Sequence, residues 1–314
     1  MSVLPFASRL PAFAPLHPLG RGPLGEWVSL VWPLEQGPRG GYPLVVKTYL
    51  LAEGLEPETR LVLEEALTRA VPLRHPGIAR LHGFQVDTRD TLTVVSDYVP
   101  GCSLATARRR VAGRGARLSE AFMCHVGAEV AGALHAAHAT KVVHGDVRAN
   151  RIRLGPRGDV TLTDFGLRPA CRLLRRFASP VRPEEVAPSP AAEDTVDAPL
   201  EAHADLRALG RVLLELVTGR AAASAPTEVE AGLRELSPGP REVLGRLLLE
   251  SPREDDTGAR LQAELRACCH AGAEVVREVA ALPGAGPLSP VDAYVGAASM
   301  MAASVSVRTP VLKS

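Results

Sequence analysis

The chain has 314 residues, 36 Lys+Arg against 35 Asp+Glu for a net charge of +1, and 46% hydrophobic residues. That is enough apolar material for a real core, in one large domain or two small ones. The balanced charge offers no basic field for nucleic acid and no polybasic membrane signal. Five cysteines, an odd number without CxxC or Cys/His spacing, argue against zinc and for a reduced, cytoplasmic compartment. The opening MSVLPFASRLPAFAPL lacks the basic start and unbroken apolar run of a secretory leader. The mild stretch Val295 to Val307 is too short to span a bilayer.

Residues 1–18 are rich in Pro and Ala and predict an irregular arm. From Leu19 to Tyr98, the runs WVSLVW, YPLVVKTYL, ARLHGFQV and TLTVVSDYV predict strands, being β-branched or apolar and bounded by Gly and Pro. A helix over Glu58 to Val71 interrupts them, with Pro57 at its first turn. Beyond Ser103 the texture is helical. Ser119 can cap a helix whose Phe122, Val126, Val130 and Leu134 recur every four residues. Ala187 to Ala204 has loop composition, Asp205 can cap the helix ADLRALGRVLLELVTG, and Gly219 stands where a C′ glycine ends it. Residues from Gly284 onward read as a tail. The organisation is an arm (1–18), a β-rich part (19–98), an α-rich part (99–283) and a tail (284–314), an α+β class of two unequal lobes.

Chemistry is concentrated in HGDVRANRIRLGPRGDVTLTDFG, where Asp146 and Asp164 each end an apolar run. Phosphoryl transfer needs such a pair, one carboxylate to orient the attacking hydroxyl and one to hold magnesium on the phosphates. Upstream lie the glycine pattern Gly20, Gly22, Gly25 with Val28, then Val45-Val46-Lys47, Glu65 on the helix, RHPGI, and VVSDYVPG. Read alone, the glycines are ordinary turns and the SDYVPG run a strand ending in a turn. In this order they resemble the eukaryotic-type protein kinase family, in its bacterial Ser/Thr form, over Leu19 to Cys269.

That resemblance implies a bilobal protein-kinase-like fold, with a small β-rich N-lobe carrying one main helix and a larger helical C-lobe. It also implies ATP and Mg2+ as cofactors and a protein substrate or partner. Gly20, Gly22 and Gly25 would bring backbone amides to the phosphates, with Val28 on the adenine face. Lys47 would pair with the α- and β-phosphates, braced by Glu65 or its neighbour Glu64. Only three lysines occur beside 33 arginines (36 basic residues in all), so a lysine at this place is notable: a compact ammonium suits it and a forked guanidinium does not. Backbone groups of Asp97 and Val99 would hold the adenine edge, with Ser96 as gatekeeper. Asp146 would accept the substrate's hydroxyl proton, Arg148 would sit beside the γ-phosphate, and Asp164 would bind the metal.

Several positions depart from the family. Arg151 stands where a metal-binding Asn belongs, and Asn150 is one residue early. Two unit charges about 4 Å apart at an effective dielectric of 20 interact by roughly 4 kcal/mol, and a divalent ion facing Arg151 would meet about twice that repulsion. The long side chain can swing away or reach the phosphates itself. Gly145 replaces the arginine of the HRD triplet, Ser179 is the only hydroxyl in LRPACRLLRRFASPVRPEEV, Pro183-Glu184 is the remnant of the APE element, and Asp255 falls where that glutamate's arginine partner belongs. Asp205 matches the aspartate that ties down the family's catalytic loop, beside its reading as a plain cap. The expectation is an ATP-binding, kinase-like signalling protein that is catalytically weak or inactive. An active serine/threonine kinase and a small-molecule phosphotransferase, whose HGD form is similar, stay open.

Overall fold

The computed structural model describes residues 10, 12–22, 26–34, 42–51, 56–87, 91–168, 202–220, 225–268, 276 and 279. They fall into two compact units. The first holds a five-stranded antiparallel sheet built from β1 (Phe13–Arg21), β2 (Trp27–Pro33), β3 (Leu44–Leu50), β4 (Leu81–Val86) and β5 (Thr91–Asp97), in the order β1-β2-β3-β5-β4. The expected strands are all present. The arm is shorter than expected, because residues 13–18 belong to β1. Proline is tolerated there because β1 is an edge strand, and its register slips beside Pro15 and Pro18 let the ladder skip the missing N–H groups.

Register assigns the faces of this sheet. Val28 lies opposite Lys47, Leu30 opposite Val45, Lys47 opposite Val94, and Val45 opposite Ser96. Since cross-strand partners share a face, Val28, Leu30, Val45, Lys47, Val94 and Ser96 line one side. The other side carries the cluster of Val31, Leu44, Val46 and Val95, covered by Leu10 and Phe13.

The second unit holds α1 (Pro57–Ala70), the small sheet of β6 (Cys102–Ser103), β7 (Ile152–Leu154) and β8 (Val160–Leu162), and six further helices among the described residues. These are α2 (Leu104–Ala112), α3 (Glu120–Ala139), α4 (Ala202–Thr218), α5 (Pro226–Leu233), α6 (Pro238–Leu249) and α7 (Gly258–Cys268). Pro57 opens α1 as expected. Although expected with the N-terminal strands, α1 clusters with the helical unit. Its Ala66 carbonyl and Ala70 methyl lie against Gly166, so closely that a Cβ on the glycine would come within 2.9 Å of the carbonyl oxygen.

At the centre is α3. The Ser119 hydroxyl accepts from Phe122 N at 3.2 Å, and Phe122, Val126, Val130 and Leu134 are all buried. Cys124, Ala128, Ala131 and Ala133 are buried too, so the helix is apolar on nearly every side and packs on α4, α7 and β8. Gly219 ends α4 as expected, with φ +70 and its N–H bonded to Glu215 O at 3.0 Å. Arg246 clamps α6 to the segment before α7 through Asp256 (3.3 Å) and to α7 itself through Glu264. Asp255, on that same segment, pairs with Arg260.

The Pro-Gly turn predicted near residue 100 is built on Gly101, at φ +97. A Cβ there would also sit 2.0 Å from the Leu154 carbonyl oxygen. Gly101→Ala is therefore expected to lower the unfolding free energy by at least about 2 kcal/mol, through both backbone strain and overlap. Urea denaturation would measure it, and a loss below about 0.5 kcal/mol, the usual range for a harmless surface change, would refute the packing argument.

Candidate functional site

The segment linking α3 to β7 carries Asp146, and its shape depends on Asp205. That residue was expected as a possible cap of α4, but the helix begins three residues earlier, at Ala202, and Asp205 lies inside its first turn, 1% exposed. Its carboxylate accepts from His144 N at 2.8 Å and Gly145 N at 2.6 Å and meets His138 Nε2 at 2.9 Å. The tie-down role is what the geometry shows. Gly145 has φ +71, a conformation unfavourable to arginine, which accounts locally for the departure from HRD.

His144 joins this loop to the segment bearing Asp164. Its Nδ1 accepts from Asp146 N at 3.1 Å and its Nε2 donates to Thr163 O at 2.8 Å, which selects the neutral Nε2–H tautomer. The ring meets Phe165 edge-on at 4.7 Å between centroids.

Arg151 does not swing away. It is 3% exposed, and its Nη1 forms a short ion pair with Asp164 Oδ2. Its Nε lies 3.5 Å from Asp146 Oδ2, and Arg148 Nη2 meets that same oxygen at 2.8 Å. Thr163 Oγ1 donates to Asp164 Oδ2 at 3.2 Å and also approaches the Arg151 carbonyl at 3.2 Å. Asp164 is held at φ +71, strain that a non-glycine residue shows mostly at functional positions. The structure thus brings together Asp146, Arg148, Arg151 and Asp164. Two carboxylates and two guanidinium groups cancel, so the cluster lacks the net negative charge that attracts a divalent ion. Among the described residues no group of three or more His, Cys, Asp or Glu side chains could hold a metal. This donor set does not fit Mg2+ as arranged.

In the first unit, Gly20 and Gly22 flank the start of the β1–β2 connection, Val28 and Lys47 are cross-strand partners, and Gly25 lies outside the described residues. The Asp97 side chain bonds His82 at 2.6 Å, on the sheet face opposite Lys47. In the second unit Val99 has its carbonyl engaged by Arg153 Nη2 at 2.8 Å, which reaches Gly101 O as well at 2.6 Å. Arg153 went unremarked in the sequence, where one arginine among 33 carries no signal. Glu65 is exposed and paired with Arg69 at 3.1 Å, and Glu64 pairs with Arg60 at 3.0 Å. Ser179 and Pro183-Glu184 lie outside the described residues.

Residues 18–269 match the protein kinase domain family. The chain belongs to that family. This kinase domain is 35% identical over 214 residues to the serine/threonine-protein kinase PkaB of Streptomyces coelicolor, covering 64% of this chain and 47% of PkaB. It is 29% identical over 276 residues to PkaA of the same organism, covering 80% of this chain and 48% of PkaA. The chain therefore spans about half the length of these curated relatives. In fold it is similar to the PknI kinase domain of Mycobacterium tuberculosis, with a TM-score of 0.61 and 22% identity over 81% of this chain and 95% of that one. No helix among the described residues is long and apolar enough to cross a membrane.

Removing the guanidinium of Arg151 while keeping its bulk leaves the enclosed Asp164 without its counter-ion and the half-buried Asp146 with Arg148 alone. Arg151→Met is expected to lower stability at neutral pH by about 3–5 kcal/mol, the cost of breaking a buried pair from one side. Urea denaturation would read this, and a loss under about 1 kcal/mol would mean that the bridge contributes no more than an exposed ion pair.

Proposed function

We propose that this chain is a kinase domain of the bacterial serine/threonine type that binds ATP as part of a signalling protein and transfers phosphate weakly or not at all. One observation carries the reading: the Arg151 guanidinium is buried between Asp146 and Asp164. It neutralises the carboxylate that the family uses for magnesium, and it stands against the carboxylate that would orient the substrate hydroxyl. Nucleotide binding in this reading relies on a fixed cation of the first unit, Lys47, and not on a divalent ion. The work of such a domain is to switch shape or engage a protein partner on binding nucleotide.

An active serine/threonine kinase is the second reading, favoured by the intact hold of Asp205 on the loop that presents Asp146. The two diverge under one substitution. Arg151→Asn restores the family's amide, and magnesium-dependent transfer to a serine-containing protein is expected to rise by about tenfold or more, since preorganised charge stabilisation is usually the largest catalytic term. Equal transfer before and after would count against the weakened reading, as would wild-type transfer abolished by Asp146→Asn. Thermal stabilisation by ATP, which grows as ln(1 + [L]/Kd), is expected to be the same with and without magnesium in the wild type and to be smaller, yet measurable, in Lys47→Met.

A further inference from the structure

Within the first unit, the end of the glycine loop inverts the usual placement of side chains. Trp27 is 51% exposed, stacked under Arg21 with the guanidinium carbon 4.3 Å from the ring centroid, while the neighbouring Glu26 is 3% exposed. An indole outside and a carboxylate inside is the reverse of what hydration favours, and a buried carboxylate persists only beside a cation or strong donors. Register points to a cation. Val28 pairs with Lys47; Glu26 lies just before β2, and with the alternation continued one residue past the strand end, where Gly22 N bonds Glu26 O, it falls diagonal to Lys47 on the same side of the sheet. Such neighbours lie within reach of long side chains.

Glu26 follows the third glycine of the loop and precedes the exposed Trp27. Its carboxylate folds back against Gly22, where an added Cβ would lie 2.1 Å from Oε1 and 2.7 Å from Oε2. Gly22 N also bonds Glu26 O at 2.8 Å, which sets the two residues side by side.

We propose that Glu26 is an internal anion of the phosphate-binding loop: it pairs with Lys47 and occupies the space that a nucleotide's phosphate groups need, so that nucleotide must displace it. This rests on the nucleotide-binding reading above and adds to it a residue that sets affinity. Glu26 lowers affinity for the charged triphosphate and leaves the uncharged nucleoside unaffected.

Calorimetric binding of ATP and of adenosine to the full chain tests the idea in wild type, Glu26→Gln, Glu26→Gly and Lys47→Met, and in Lys47→Met combined with each Glu26 change. Glu26→Gln is expected to tighten ATP by roughly tenfold, the order of effect that one charge near a binding site produces. Adenosine affinity should stay within about twofold, and the gain for ATP should vanish when Lys47 is absent. Glu26→Gly provides the same readout should the amide disturb folding. Equal gains for ATP and adenosine, no gain for ATP, or a gain that survives Lys47→Met would each overturn the proposal. Binding of ATP by Arg151→Asn without any gain from Glu26→Gln removes the role of Glu26 alone. No binding by any variant, Arg151→Asn included, removes the nucleotide reading and this proposal with it.

Discussion

Two carboxylates that a phosphotransferase would hold apart for a metal and a substrate are here bridged by one guanidinium. Arg151 reaches both, and Arg148 reaches Asp146 from a second direction. Enclosing Arg151 and Asp164, with Asp146 and Arg148 half-buried beside them, is costly unless each finds a partner. The local backbone supplies the constraint: Arg151 N bonds Arg148 O at 2.8 Å, and Thr163 N bonds Arg151 O at 2.9 Å. With its main chain fixed on both sides, the side chain enters the interior and takes the space between the aspartates.

The loop around the bridge is held by a separate set of contacts. Asp205 fixes the two peptide N–H groups before Asp146, and His144 couples that loop to the segment bearing Asp164 through both ring nitrogens. These contacts are directional and lie in a buried or half-buried setting, so the loop is preorganised.

Much of this was legible in the chain itself, and the failures have physical causes. Strands β2 to β5 announced themselves because β-branched runs between Gly and Pro have few other uses. The helix caps at Ser119 and Gly219 were legible because the chemistry of helix ends is local. β1 was hidden by prolines that only an edge strand tolerates. Asp205 carried two readings, a helix cap and a tie for the loop before Asp146; the alanines upstream let the helix start earlier, so the cap reading fails and the tie holds. The identity of Arg151 was plain, but the direction of a long side chain depends on partners distant in sequence. Glu26 and Arg153 escaped for a related reason: a charged residue beside a turn looks solvated until its burial is known.

The enclosure of the bridge has a consequence for how the domain responds to its surroundings. Mobile ions screen exposed charges beyond about 8 Å at physiological ionic strength, but they do not enter a packed interior. Arg157 with Asp159, both exposed, forms a pair that salt will weaken. Arg151 with Asp164, both almost wholly enclosed, will hold from dilute buffer to strong brine. Only a competitor that enters the cluster itself, or a change in the chain, can part them.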